Sequence, residues 1–178
     1  MSDQQLIKEI ISGNSTAFRT LMERYQQQVF RVVMGYLHAK EDAEDLTQEV
    51  FIRVYEMLHT FHGEAAFSTW LYRITLNMSL NQLRKNKKKR LLQSLDTIFN
   101  RGSSDKTPLE MLEREEQDRE IRAAIDALPE KQRMAFVLSR YEELPQKQIA
   151  TIMNRTEGAV EQLLQRANEK LRKKLQSP

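Results

Sequence analysis

Cysteine is absent from the sequence, which removes disulfides, thiolate zinc sites and cysteine nucleophiles together and fits a reducing compartment. Long apolar runs are missing too. Nothing approaches the roughly 20 apolar residues that cross a bilayer. The N-terminus, MSDQQLIKEI, lacks the basic-then-apolar order of a signal peptide. A cytoplasmic protein without membrane insertion is therefore expected. The three histidines, His38, His59 and His62, do not form a metal-ligand pattern. There is no phosphate-cradling glycine loop, nucleophile motif or carboxylate pair set among histidines, so neither a metal, a cofactor nor enzymatic catalysis is expected. Glycine and proline are scarce, five and four residues, and they fall where helices must break.

What is abundant is charge, 28 cations against 25 acids, and its distribution says more than the small net excess. Arg84 to Arg90 reads RKNKKKR, and Arg166 to Lys174 carries five cations against one acid. Acids gather at Glu41 to Asp45, EDAED, and between Glu110 and Glu120. Two basic and two acidic patches suit contacts with nucleic acid and with a basic protein surface.

Apolar spacing is helical throughout. Leu6, Ile7, Ile10 and Ile11 form one stripe ended by Gly13 and Asn14. A long helix from Ala17 to about Leu37 follows, with Phe18, Leu21, Met22, Tyr25, Val29, Val32, Val33 and Tyr36 inward. Glu41 to Leu58 turns Leu46, Val50, Val54, Met57 and Leu58 inward and leaves its acids and Gln48 outside. After a turn at His62-Gly63, a fourth helix capped by Ser68 or Thr69 carries Trp70, Leu71, Ile74, Met78 and Leu83 into the basic run. Periodicity fades from Leu91, and RGSSDKTP at Arg101 to Pro108 reads as a flexible linker. An acidic helix then runs to Leu128, and Pro129 suits the first position of the next helix. Three more helices are expected over 130–141, 146–153 and 157–175. The expected fold is all-α: two small helical domains, 1–92 and 113–178, joined by a flexible linker over 93–112.

Two short helices, a tight turn and a longer basic helix make the second domain a helix-turn-helix. In its last helix Val160, Leu164, Ala167 and Leu171 form the buried stripe, so Glu157, Glu161, Gln162, Gln165, Arg166 and Glu169 face outward. Early residues of such a helix reach base edges, where glutamine and arginine offer paired hydrogen bonds to purines. Thr156 is placed to cap the helix beside a phosphate, while Lys170 and Arg172 to Lys174 can hold the backbone. A helical hairpin with a solvated basic tail is the plainer alternative.

In the first domain, Phe61 to Arg90 combines aromatics, a glycine turn and a basic helix end, the ingredients for gripping single-stranded DNA. Arg73 and Asn77 lie three and seven residues beyond Trp70 and can flank a bound base. The plainer alternative makes Phe67 and Trp70 core anchors and the basic run a solvated helix end. The acidic helix holding Asp45, Gln48 and Glu49 reads, on spacing alone, as a solvated face.

Three blocks carry a resemblance that spans nearly the whole chain. AFRTLMERYQQQVFRVV with EDAEDLTQEVFIRVYEML, FHGEAAFSTWLYRITLN, and LPEKQRMAFVLSRYEELPQKQIATIMNRTEGAVEQLLQRANEKLRKKL resemble, in order, the conserved regions of the extracytoplasmic-function sigma factors. The resemblance implies a non-catalytic RNA polymerase subunit that directs promoter recognition, DNA melting and transcription initiation. It implies that Asp45, Gln48 and Glu49 dock on the clamp helices of the polymerase's largest subunit. It also implies that Phe61, Gly63, Arg73 and Asn77, with Trp70 in support and Arg84 and Lys85 on the basic run, take the minus-ten strand and a flipped base. The minus-thirty-five element falls to Thr156, Glu157, Ala159, Glu161, Gln162, Gln165, Arg166 and Lys170. An anti-sigma factor is the expected inhibitor.

The sequence departs from the family at the start of the last helix. Family members often read G-T-V-K-S-R where this chain has Gly158-Ala159-Val160-Glu161-Gln162-Leu163. Glu161 cannot bind phosphate but can accept a hydrogen bond from cytosine's exocyclic amine. Asn154 stands where glycine is frequent, and asparagine tolerates left-handed backbone there. No appended regulatory domain is expected after Pro178. The rival function is an autonomous helix-turn-helix regulator that binds duplex DNA without polymerase.

Overall fold

A computed structural model describes residues 1–97 and 109–176; the linker motif at 101–108 lies outside them. All regular structure among the described residues is helical: α1 (Asp3–Ile11), α2 (Ser15–Leu37), α3 (Lys40–Met57), a 3-10 turn (Leu58–Thr60), α4 (Phe67–Thr97), α5 (Leu109–Asp126), α6 (Glu130–Arg140), α7 (Gln146–Met153) and α8 (Glu157–Leu175).

Helix ends follow local chemistry. Ser2 opens α1 with a reciprocal capping box, accepting from the Gln5 N–H while the Gln5 side chain accepts from its own N–H. Gly13 ends that helix at φ +100°, a conformation that costs glycine little. Asn14, expected to close α1, opens α2 as its N-cap by accepting from the Thr16 N–H at 3.1 Å. α4 starts at Phe67, before the expected Ser68 or Thr69 cap. The reason is burial: Phe67 and Thr69 are both sunk in the interior, and the Trp70 N–H already bonds back to the Ala66 carbonyl. Pro129 is the N-cap of α6 with extended backbone, one position before the expected one. Between α7 and α8, Asn154 is left-handed at φ 51°, and Thr156 caps α8 by accepting from the Ala159 N–H at 3.2 Å.

The first core gathers α1 to α4: Leu6, Ile10, Leu21, Val29, Val33, Leu46, Val50, Val54, Leu58, Phe67 and Leu71 are all buried in it. Several inward expectations need correction. Ile11 is exposed, because the stripe on α1 is narrower than its run of isoleucines. Phe18, Met22, Met57, Trp70, Ile74 and Met78 are only half-buried, while Phe51, Tyr72 and Leu76 are fully inside. On α8, Val160 and Ala167 are buried but Leu164 and Leu171 only partly, since a small helical unit covers one narrow stripe.

A second core has no counterpart in the sequence reading. Val32 and Tyr36 of α2 and Tyr72, Leu76, Leu80 and Leu83 of α4 pack with Ala135, Val137 and Leu138 of α6 and Ile149, Ala150 and Ile152 of α7. The two helical units are therefore seated directly on one another. Gly35, within α2, permits the approach: a Cβ there would lie 2.9 Å from Val137 Cγ1 and 3.2 Å from Tyr141 Cδ2. Arg133 of α6 is buried at this seam. It donates to the Tyr36 carbonyl at 2.8 Å, pairs with Asp126 at 2.6 Å, and lies 4.7 Å over the Tyr36 ring. Burial alone would raise the Asp126 carboxyl, but the His38 hydrogen bond and the Arg133 charge outweigh it and hold the group below the usual carboxylate range. Glu142, between α6 and α7, accepts from Arg31 Nε at 2.7 Å and from the Tyr72 hydroxyl at 2.7 Å.

These contacts give a pH response. Burial, with Glu142 beside it, pushes the Tyr72 hydroxyl up despite Arg31. Burial pushes up Tyr36, next to Arg133 and Glu130, and Tyr25, beside Asp3 and Arg24. A folded value raised above the unfolded one means full stability below tyrosine's ordinary value near about 10, lost as pH rises from there toward the folded values. Ultraviolet absorbance is therefore expected to show these phenols ionising together with loss of helical circular dichroism. A smooth ionisation near pH ~10 with the helices intact would contradict the assignment.

Candidate functional site

Three surfaces collect the residues singled out by sequence. On α3, Leu46, Val50 and Val54 are buried at i, i+4 and i+8, which forces Asp45, Gln48 and Glu49 to the opposite, solvent-facing side. Glu41 and Asp42 in the first turn suit the positive end of the helix. Beside Gln48 runs an apolar groove of about 550 Å³ floored by Phe18, Met22, Phe51, Ile52 and Tyr55. Ile52 and Tyr55 are 60% and 53% exposed, and Tyr55 meets Phe18 edge-to-face at 4.9 Å. Sequence reasoning missed this groove. The signal was available: Ile52 and Tyr55 fall off the stripe of Leu46, Val50 and Val54, so two large apolar side chains had to face water.

The second surface lies where the 3-10 turn meets α4. Phe61 ends that turn, and the backbone then passes through Gly63 at φ +76°. Phe61 packs against Phe67 at 5.7 Å and Trp70 at 5.5 Å between ring centroids, and Phe67 reaches Tyr25 at 5.3 Å. Phe67 is the buried anchor of this cluster, whereas Phe61 and Trp70 are half-exposed. They border a depression of about 120 Å³ whose rim includes Gly63 and Arg73. Asn77 is exposed one turn along α4, and Arg84 and Lys85 are exposed further on. The structure thus brings Phe61, Gly63, Trp70 and Arg73 together. It does not leave the basic side chains idle: Arg73 donates to the Thr151 and Ile152 carbonyls at 2.8 and 3.0 Å, and Arg84 pairs with Glu130.

The third surface is α8. Thr156, Glu157, Glu161, Gln162, Gln165, Arg166 and Lys170 are exposed, and Ala159 is half-buried. Gln165 donates to Glu169 at 3.3 Å, one turn on. Arg172, Lys173 and Lys174 close the helix, the end where cations complement the dipole. Among the described residues no His, Asp or Glu group is arranged to hold a metal, and no helix is long and apolar enough to cross a membrane.

Family models place two regions on this chain. Sigma-70 region 2 matches residues 21–89, and Sigma-70, region 4 matches residues 118–171. The RNA polymerase sigma-H factor of Pseudomonas aeruginosa is 33% identical, across 98% of this chain and 94% of the relative. The ECF RNA polymerase sigma-E factor of Escherichia coli is 34% identical across 99% and 95%. Among solved structures, CnrH in complex with the cytosolic domain of CnrY superposes with a TM-score of 0.68 at 24% identity, covering 95% of this chain and 94% of that one. The sigma factor RpoE in complex with the anti-sigma factor NepR from Bartonella quintana gives 0.60 at 20% identity, over 89% and 96%. At those identities the two structures speak for the shared helical fold.

Proposed function

From the chain's membership in the extracytoplasmic-function sigma factors, to which it belongs, we propose that it is a non-catalytic promoter-specificity subunit of RNA polymerase, acting in the cytoplasm. Residues 1–92 form the unit that binds core polymerase and opens the minus-ten element. Residues 93–112 link it to a unit over 113–178 that holds the minus-thirty-five element. Asp45, Gln48 and Glu49 meet the clamp helices of the largest subunit, with the Phe18, Ile52 and Tyr55 groove giving that contact its apolar area. An anti-sigma factor is the partner that holds the chain inactive.

The observation that carries this reading is the half-exposed aromatic pair, Phe61 and Trp70, bordering a small depression beside a basic helix. A base leaving the duplex loses stacking, and a fitted pocket with aromatic faces offsets that loss. Asn77, Arg84 and Lys85 then track the separated strand, while Gly63 lets the loop turn away without a side chain at the rim. α8 lies in the major groove with Gln162, Gln165 and Arg166 toward base edges.

Two substitutions on α8 separate reading from holding. Arg166→Ala is expected to weaken minus-thirty-five binding by about 1–3 kcal/mol and to relax base preference at one position. Lys170→Ala is expected to weaken all sequences alike and to lower the salt dependence by about one phosphate contact. Binding titrations against a set of single-base variants at two salt concentrations check both.

The reading as a whole is tested by adding the purified chain to bacterial core RNA polymerase with a pool of promoter fragments that core alone ignores. Specific initiation, lost on Asp45→Ala with Gln48→Ala, supports it. Tight duplex binding with no dependence on polymerase overturns it in favour of an autonomous regulator.

A further inference from the structure

Between the end of α2, the basic stretch of α4 and the last turns of α5 lies a cavity of about 400 Å³ that promoter recognition leaves without a role. That volume falls in the range of small-molecule sites and exceeds what a single ion or water needs. Its lining is cationic. Lys87, Arg119 and Arg122 border it, and Lys174 reaches its edge by donating to the Ala123 carbonyl at 3.4 Å. The one carboxylate among the described lining residues, Asp126, is already committed to Arg133 at 2.6 Å and to His38 at 3.1 Å. Leaving Arg119 to its own protein contact, Lys87, Arg122 and Lys174 still bring three positive charges, where one phosphate monoester carries only about two negative ones. The placement is selective. α5 begins as an acidic helix, yet Arg119, Arg122 and Asp126, spaced three and four residues apart, put two of its cations on the side facing the cavity. We propose that this cavity binds a small molecule bearing a diphosphate group. Such a site goes beyond promoter recognition and does not depend on it.

The wall behind those cations is short of acceptors. Tyr36 lines the cavity at 1% exposure, and its hydroxyl is buried without a hydrogen-bond partner among the described residues. Arg133, stacked 4.7 Å over the Tyr36 ring, leaves Nε and Nη1 equally unpaired among them. Buried donors without acceptors are uncommon in folded chains, and an anionic oxygen, or a water it orders, is the acceptor they lack. α3 adds a further set of donors. It opens at Ala39, which also lines the cavity, and no side chain caps it, so its first N–H groups are available to an anion at the positive end of the helix. Glu41 and Asp42 of the same turn lie outside the lining. Arginine suits this chemistry because one guanidinium can grip two phosphate oxygens at once. Leu37 and Leu83 give the remaining side an apolar character, which favours a diphosphate attached to an organic group, such as a nucleoside, over inorganic pyrophosphate.

The full chain is titrated with ADP, GDP, inorganic pyrophosphate and orthophosphate by isothermal calorimetry at one fixed salt concentration. One nucleoside diphosphate per chain is expected, bound at least about tenfold tighter than orthophosphate, with a thermal unfolding midpoint that climbs as nucleotide is added. Tighter ADP or GDP assigns a nucleotide, whereas pyrophosphate equal to ADP supports the diphosphate site and names the free anion as its source. Two variants fix the location. Arg119→Gln with Arg122→Gln removes cations from exposed positions of α5 and is expected to weaken ADP by at least about tenfold, while promoter-duplex affinity and initiation with core polymerase stay as they were. Tyr36→Phe keeps the ring and deletes only the unpaired hydroxyl, so the unfolding midpoint is retained or rises, yet ADP affinity falls by about three- to tenfold. A chain that binds neither nucleotide nor pyrophosphate at millimolar concentration overturns the site, as does ADP affinity that either variant leaves unchanged. Parallel loss of duplex and ADP affinity in the α5 variant overturns it too, because the two arginines then belong to a DNA contact.

Discussion

Ile52→Asp is expected to lower affinity for core RNA polymerase by about a hundredfold or more, because an unpaired carboxylate forced into an apolar contact costs several kcal/mol. The free chain should scarcely notice. Ile52 is already 60% exposed, and surface substitutions of this kind change stability by about 0.5 kcal/mol or less. The contrast makes the experiment decisive: thermal unfolding stays in place while binding of labelled chain to core collapses. Tyr55→Ala should act in the same direction more mildly, since it removes area and the Phe18 contact without introducing charge. Unaltered polymerase affinity in Ile52→Asp would remove the groove from the docking surface and leave Asp45, Gln48 and Glu49 to carry it alone.

Phe61→Ala separates a later step. With the ring gone, the depression loses one aromatic wall, and stacking on a captured base falls by about 1–3 kcal/mol, roughly tenfold to a hundredfold in open-complex formation. Phe67 is buried beneath it and Trp70 remains, so the helical unit still folds. Polymerase binding is expected to be unchanged, because Phe61 lies outside the groove that flanks α3. The measurement is permanganate reactivity of thymines in the minus-ten element together with polymerase affinity. A variant that binds core normally and opens the promoter at the original rate would show that the depression does not hold a base. Phe61→Tyr, which keeps the ring, is the control that should retain opening.

Helix order and most boundaries were legible because they are local. Gly13, Asn154 and Thr156 mark ends through backbone conformation and capping, which depend on near neighbours. The outward faces of α3 and α8 were legible for the same reason, as the complement of a periodic stripe. What sequence missed depends on elements far apart in the chain. Val32, Tyr36, Tyr72 and Leu76 read as ordinary inward residues of the first bundle or went unremarked, yet they pack against α6 and α7. A helical stripe says that a side chain is buried, not against what. Arg133 shows the converse: arginine is ordinarily exposed, so nothing in the sequence announces one that is 1% exposed and held by carbonyls nearly a hundred positions away. The apolar groove was missed by attending only to residues on the stripe and not to those off it.

α4 runs unbroken from Phe67 to Thr97, 31 residues, about 45 Å at ~1.5 Å per residue. One end carries the aromatic depression and the other is where the chain departs toward the second unit. The helix is thus a lever arm whose far end is remote from the aromatic depression, and its phase is set by residue count. Removing one residue beyond the basic run would swing the departure point by about 100° around the axis without touching any side chain of the aromatic depression. Length at that end is accordingly a geometric parameter, one that sets the direction in which the chain leaves the helix toward the second unit.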